Sequence, residues 1–122
     1  MLSSETPSAD ATLFRCLAST TDRVATVRLE GDLDLANASL VRLELLATVE
    51  QDIDRLVVDL RALTFMDSSG IGALVVVWKR AGERDVAMTL EAVPPEVRRV
   101  LDSCGLNEMF ETRDPDDAGD LA

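Results

Sequence analysis

The chain alternates short apolar runs with polar breaks, and the period of each run predicts its element. Residues 24–30 alternate strictly, with Ala25, Val27 and Leu29 on one side and Thr26, Arg28 and Glu30 on the other. That is the pattern of a half-buried strand. Residues 12–17 alternate more loosely, Thr20-Thr21-Asp22 reads as a turn, and the two runs together predict a hairpin. Gly31-Asp32-Leu33-Asp34 reads as a loop whose last residue caps a helix reaching about Glu50, with Leu40, Leu43, Leu46 and Ala47 as its apolar stripe. Residues 53–60 form an apolar run that predicts a central strand buried on both faces.

The run from Ile71 to Trp78 fits two readings. Its three consecutive valines favour a strand. Ile71, Leu74, Val75 and Trp78 nevertheless share one helical face, Lys79 and Arg80 suit a helix C-terminus, and Gly82 suits a left-handed cap. The ending predicts a buried helix. Residues 85–92 alternate through Val86, Met88 and Leu90 as another strand, Pro94 and Pro95 open a helix that stops at Cys104-Gly105, and residues 106–111 read as a short last strand. Strands alternating with helices predict an α/β domain with a mixed, mostly parallel sheet of about five strands, an N-terminal hairpin and helices packed against the sheet. The Ser-, Thr- and Pro-containing residues 1–11 predict disorder, residues 12–112 the domain, and the acidic residues 113–122 a flexible tail.

Charge narrows the partners. The net charge of −11 with no basic stripe turns the chain away from nucleic acid and from an anionic membrane surface, which leaves proteins. The absence of histidine removes the usual general base and the commonest zinc ligand, so no catalytic triad, metal or cofactor is expected and the chain reads as a non-enzyme. Cys16 and Cys104 stand in no metal-like spacing and read as small buried hydrophobes, as do Met66 and Met88. No run approaches the roughly 20 apolar residues of a membrane helix, and the N-terminus lacks the marks of a secretory signal, so the expected place is the cytoplasm, without direct membrane contact.

One stretch carries candidate chemistry: Phe65-Met66-Asp67-Ser68-Ser69-Gly70-Ile71-Gly72. A helix starting at these serines points free backbone N–H groups at them, a setting that suits a phosphate. The simpler role for Ser68 is a helix cap, and Ser69 reads either as the true acceptor in its place or as a second cap. Gly70 and Gly72 read as places where another backbone approaches closely, since neither Gly-x-x-x-x-Gly-Lys-Ser nor Gly-x-Gly-x-x-Gly occurs. Asp32 and Asp34 read as a turn and a cap before they read as a metal pair, and Asp59 as a loop acid.

Leu29-Glu30-Gly31-Asp32-Leu33-Asp34, Val57-Val58-Asp59-Leu60, the Asp67-Ser68-Ser69-Gly70 motif, and Pro95 through Leu101 followed by Cys104-Gly105-Leu106 occur in one order. In that order and spacing the chain resembles the STAS domain over about residues 13–112, most of all the stand-alone bacterial anti-sigma-factor antagonists. The resemblance implies that Ser68 is phosphorylated by a partner kinase that is itself the anti-sigma factor, and that a serine phosphatase resets it. It implies a partner-binding surface at Asp34, Asp67, Ser69 and Gly70. The unphosphorylated form would hold the anti-sigma factor and free the sigma factor. The family often adds a final amphipathic helix, where this chain has a polar, acidic end. A soluble STAS subunit of an ABC transporter complex, with Ser68 as an interface residue, is the alternative.

Overall fold

The structure, a computed structural model, describes residues 14–114. The expected disorder of residues 1–11, the start of the first predicted strand and most of the acidic tail lie outside the described residues. The elements run β1 (Arg15–Thr21), β2 (Val24–Leu33), α1 (Ala38–Val49), β3 (Arg55–Asp59), β4 (Leu63–Met66), α2 (Ser68–Glu83), β5 (Ala87–Glu91), α3 (Pro95–Ser103) and β6 (Glu111–Arg113). They form a mixed six-stranded sheet in the order β1-β2-β3-β5-β6, with β4 added beside β2. Only the β1–β2 hairpin is antiparallel. The expected fold class holds, with one strand more than predicted.

Register sorts the two faces of the sheet. Ala25, Leu56 and Met88 stand in one row and Val27, Val58 and Leu90 in the next. All six are buried in the single core, together with residues of all three helices. The opposite face carries Thr26, Val57, Thr89 and Glu111 in one row and Arg28, Asp59, Glu91 and Arg113 in another. At the centre this second face is buried as well, through Val57, Asp59 and Thr89. β3 is therefore buried on both faces, as its apolar run predicts, whereas β2 is buried on one side only and alternates strictly.

Several boundaries move, each for a local reason. β1 runs on through Thr20 and Thr21, whose β-branched side chains fit the ladder, and the turn is Asp22-Arg23, both at positive φ, as in the primed turns that match strand twist. β2 does not stop at Gly31. Pairing with β3 ends at Arg28, and from Gly31, at φ 101, the strand pairs with β4, with a register shift between Gly31 and Asp32, so the predicted loop 31–34 is strand through Leu33. β4 itself is unpredicted: four residues, two of them exposed, give no period to read.

α2 is the predicted helix, but Gly82 is not its cap. The helix continues to Glu83, and Asp85 takes the left-handed position at φ 59. The Val86 N–H then reaches the Ala81 carbonyl (2.8 Å) and the Asp85 N–H that of Gly82 (3.2 Å), a Schellman closure that delivers Val86 to the core. α3 does end at Gly105, φ 71, with the Leu106 N–H on the Leu101 carbonyl. Residues 106–110 are turns and a bend, and the last strand is Glu111–Arg113, paired to β5, in place of the predicted strand over 106–111.

The apolar stripe of α1 is the largest correction. Its buried residues are Ala38, Val41, Leu45, Thr48 and Val49, while Leu40, Leu43 and Ala47 face solvent and Leu46 is half-buried. The helix is apolar on two sides, and the core takes the other one. Met66 and Met88 are buried as expected. The cysteines are not: Cys104 is exposed at the end of α3, and Cys16 is half-buried, its thiol pKa raised by burial and then by the nearby charge of Glu44.

Candidate functional site

β2 and β4 run parallel and end together, with Leu33 opposite Met66. Each strand delivers an aspartate to the same edge of the sheet. The Asp67 N–H donates to the Leu33 carbonyl (3.3 Å), so Asp34 and Asp67 leave the ladder side by side. Thr64 of β4 donates its hydroxyl to Asp32 (2.6 Å), which fastens the pair one step below. Asp32 is thereby tied to β4, while the Asp34 side chain turns to its own loop.

Asp67 is the N-cap of α2. Its backbone is extended, and Oδ1 accepts from the N–H groups of Ser69 (2.9 Å) and Gly70 (3.3 Å). This cap defines the site. The aspartate carboxylate takes the N–H groups of the second and third helical residues, so Ser68, the first helical residue, is not the cap. Ser68 is exposed, Ser69 half-buried and Gly70 buried. A Cβ on Gly70 would lie 2.8 Å from Cγ of both Leu33 and Met66. Gly70 therefore seats the helix start on the two strand ends from below, against side chains and not the backbone approach expected. Gly72 meets nothing within 4 Å and is open to solvent.

Asp34 is built differently and does not cap α1. Its Oδ1 accepts from the Ala36 N–H (3.0 Å), and its carbonyl accepts from Asn37 and Ala38. α1 starts only at Ala38, with Asn37 in the cap position making no side-chain cap bond. The Asn37 amide clamps the loop instead: Oδ1 accepts from the Asp34 N–H (2.9 Å) and Nδ2 donates to the Asp32 carbonyl (2.7 Å). Asn37 went unseen in the sequence, where Asp34-Leu35-Ala36-Asn37 was the available signal of an Asx-type turn.

The surroundings are apolar and exposed. Leu35, next to Asp34, is 78% exposed and Phe65, two residues before Asp67, is 48% exposed. Leu40, Leu43 and Val76 extend this along the outer sides of α1 and α2. Five of the six large hydrophobics exposed among the described residues thus lie on the two strand-to-helix junctions and the helices that leave them. Apolar surface gathered around a few charges is the composition of a protein-docking site. The chemistry available is that of an acceptor: a free hydroxyl at the positive end of a 16-residue helix, between two carboxylate-bearing loops.

Comparison with known proteins agrees with this geometry. The STAS domain family model matches residues 16–116. An anti-sigma F factor antagonist of Paenibacillus polymyxa is 34% identical over 84 residues, 68% of this chain and 72% of that protein. The crystal structure of an anti-sigma factor antagonist from Mycobacterium paratuberculosis superposes with a TM-score of 0.76 at 25% identity, covering 85% of this chain and 88% of that one. The Bacillus cell fate determinant SpoIIAA, in its phosphorylated form, shares the fold, with a TM-score of 0.66 at 23% identity over 89% of this chain and 98% of that one. The chain belongs to the STAS domain family, alongside anti-sigma factor antagonists.

Proposed function

We propose that this chain is an anti-sigma-factor antagonist that works by partner switching in the cytoplasm. Unphosphorylated, it binds an anti-sigma factor that is also a serine kinase and so frees a sigma factor. The kinase phosphorylates Ser68, the complex separates, and a serine phosphatase restores the first state. The chain is the substrate of this chemistry and supplies no catalyst. The observation that carries the reading is the division of labour at the start of α2: Asp67 holds the cap, which leaves the Ser68 hydroxyl exposed.

The electrostatics fit a switch that acts at the surface. A phosphoryl group adds about −1.5 to −2 charges and three acceptor oxygens. The helix N-terminus offsets roughly 0.3–1 kcal/mol of its cost, so the fold tolerates it. The docking surface changes far more, because a dianion appears between Asp34 and Asp67 and their loops. Affinity for the partner falls without refolding.

Titration of the purified chain with the anti-sigma kinases of its source organism tests this. Ser68→Ala is expected to bind one of them as the unmodified chain does, and Ser68→Asp to bind it about tenfold or more weakly, with both variants as stable as the parent. Equal binding by the two variants would sink the reading.

A further inference from the structure

α1 and α2 pack side by side, and the seam between them is open along its outer edge. Beside the switch it is a hollow of about 340 Å³ bounded by Ser39, Arg42, Ser69, Gly72 and Val76. Farther along, a hollow of about 410 Å³ shares Val76 and continues between Leu46, Glu50 and Lys79. The two make one groove that starts next to Ser68 and follows both helices away from it. Leu43, one turn before Leu46 on α1, is 61% exposed and lies outside both hollows, within reach of a segment that overhangs them.

The charges along this groove are unequal in their commitments. Arg80 is taken up by Glu50 and Glu83, at 2.6 and 2.9 Å. Arg42 on α1 and Lys79 on α2 have no carboxylate partner among the described residues. Two free cations, one from each wall, thus flank an apolar strip on a chain of net charge −11. That combination rejects basic and purely apolar segments and favours an apolar one that carries carboxylates.

We propose that the α1–α2 groove is a second contact surface for the anti-sigma factor, taking an amphipathic helix of that partner. The apolar face of the helix lies on Leu43, Leu46 and Val76, and its carboxylates meet Arg42 and Lys79. The inference rests on the partner reading above and deepens it. Ser68 decides when the partner is held, and the groove decides which partner is held.

The test is binding of the anti-sigma kinase to Arg42→Glu/Lys79→Glu, to Leu43→Gln, and to Arg98→Glu/Arg99→Glu. The last pair makes the same change of charge at exposed positions of α3. All the substituted side chains are exposed, and equal melting temperatures confirm the fold. The groove pair is expected to weaken binding about tenfold or more, Leu43→Gln about threefold or more, and the α3 pair by less than either. Equal weakening by the groove pair and the α3 pair would overturn the proposal. So would unchanged kinase binding, including the case in which the groove pair instead abolishes a dimer and assigns the groove to a second copy. A parent chain that binds none of the kinases brings down the partner reading itself, a result in which the groove variants play no part.

Discussion

The two strand-to-helix junctions of this domain are neighbours with nearly the same starting material, and they are built in opposite ways. β2 and β4 end in register, and each is followed by an aspartate. At the β4–α2 junction the aspartate caps the helix at once, and a serine comes next with its hydroxyl free. At the β2–α1 junction three more residues intervene, the aspartate closes a turn on Ala36, and Asn37 clamps the loop. One junction presents a hydroxyl at a helix N-terminus, the other a rigid acidic loop beside it. The difference teaches that the same residue type plays two parts: as the helix cap Asp67 leaves the next side chain exposed, while Asp34 spends its carboxylate on its own turn.

Substitutions can break this contrast, beginning with the glycine that seats α2. Gly70→Ala puts a Cβ against Leu33 and Met66 and is expected to destabilise by about 1–3 kcal/mol in denaturant titration, as overpacking does. Asp67→Ala removes a true cap and should cost about 1 kcal/mol. Asn37→Ala should cost a similar amount, roughly 1 kcal/mol, through its two bonds to the loop. Asp34→Ala, at the junction where the aspartate does not cap, should stay within about 0.5 kcal/mol of the parent. If Asp34→Ala proved as costly as Asp67→Ala, the two junctions would not differ as described. Gly72→Ala goes the other way, with a gain of about 0.5–1 kcal/mol, because a Cβ there meets open space within a helix.

A weaker effect comes from acid. Hydrogen bonds from Arg23 and Arg80 hold the carboxyls of Asp54 and Glu50 below their ordinary values. The unfolded chain binds these protons more readily, so the stability they confer is complete above the ordinary carboxylate range and lost as pH falls through the lowered folded values. Both groups are at the surface, so the slope is small. A shallower loss of melting temperature on acidification is expected for Asp54→Asn with Glu50→Gln than for the parent.

These contrasts also mark where the sequence was readable. β2 was legible because its own two sides differ, so that the buried Ala25, Val27 and Leu29 alternate with half-buried polar residues. β4 was not, since pairing with the far end of β2, and no pattern of its own, makes it a strand. In α1 the positions Leu40, Leu43 and Leu46 are as helical in period as Val41, Leu45 and Val49, and periodicity cannot choose between two apolar sides. Packing against β2 and α2 chose, and the rejected stripe became part of the exposed apolar surface. Ser68 stood out because its hydroxyl lies where a helix begins. That Asp67 and not Ser68 is the cap depends on backbone geometry, an extended residue followed by a helical one, which composition does not encode.

The most direct test of the account is phosphosite mapping by mass spectrometry after incubation of the chain with ATP and the anti-sigma kinase it binds, with Ser68→Ala in parallel. A single phosphate on Ser68, absent from the variant, is the predicted result. A phosphate on Ser69, or none on a chain whose kinase modifies a control substrate, would contradict the claim that the capping aspartate leaves Ser68 as the switch.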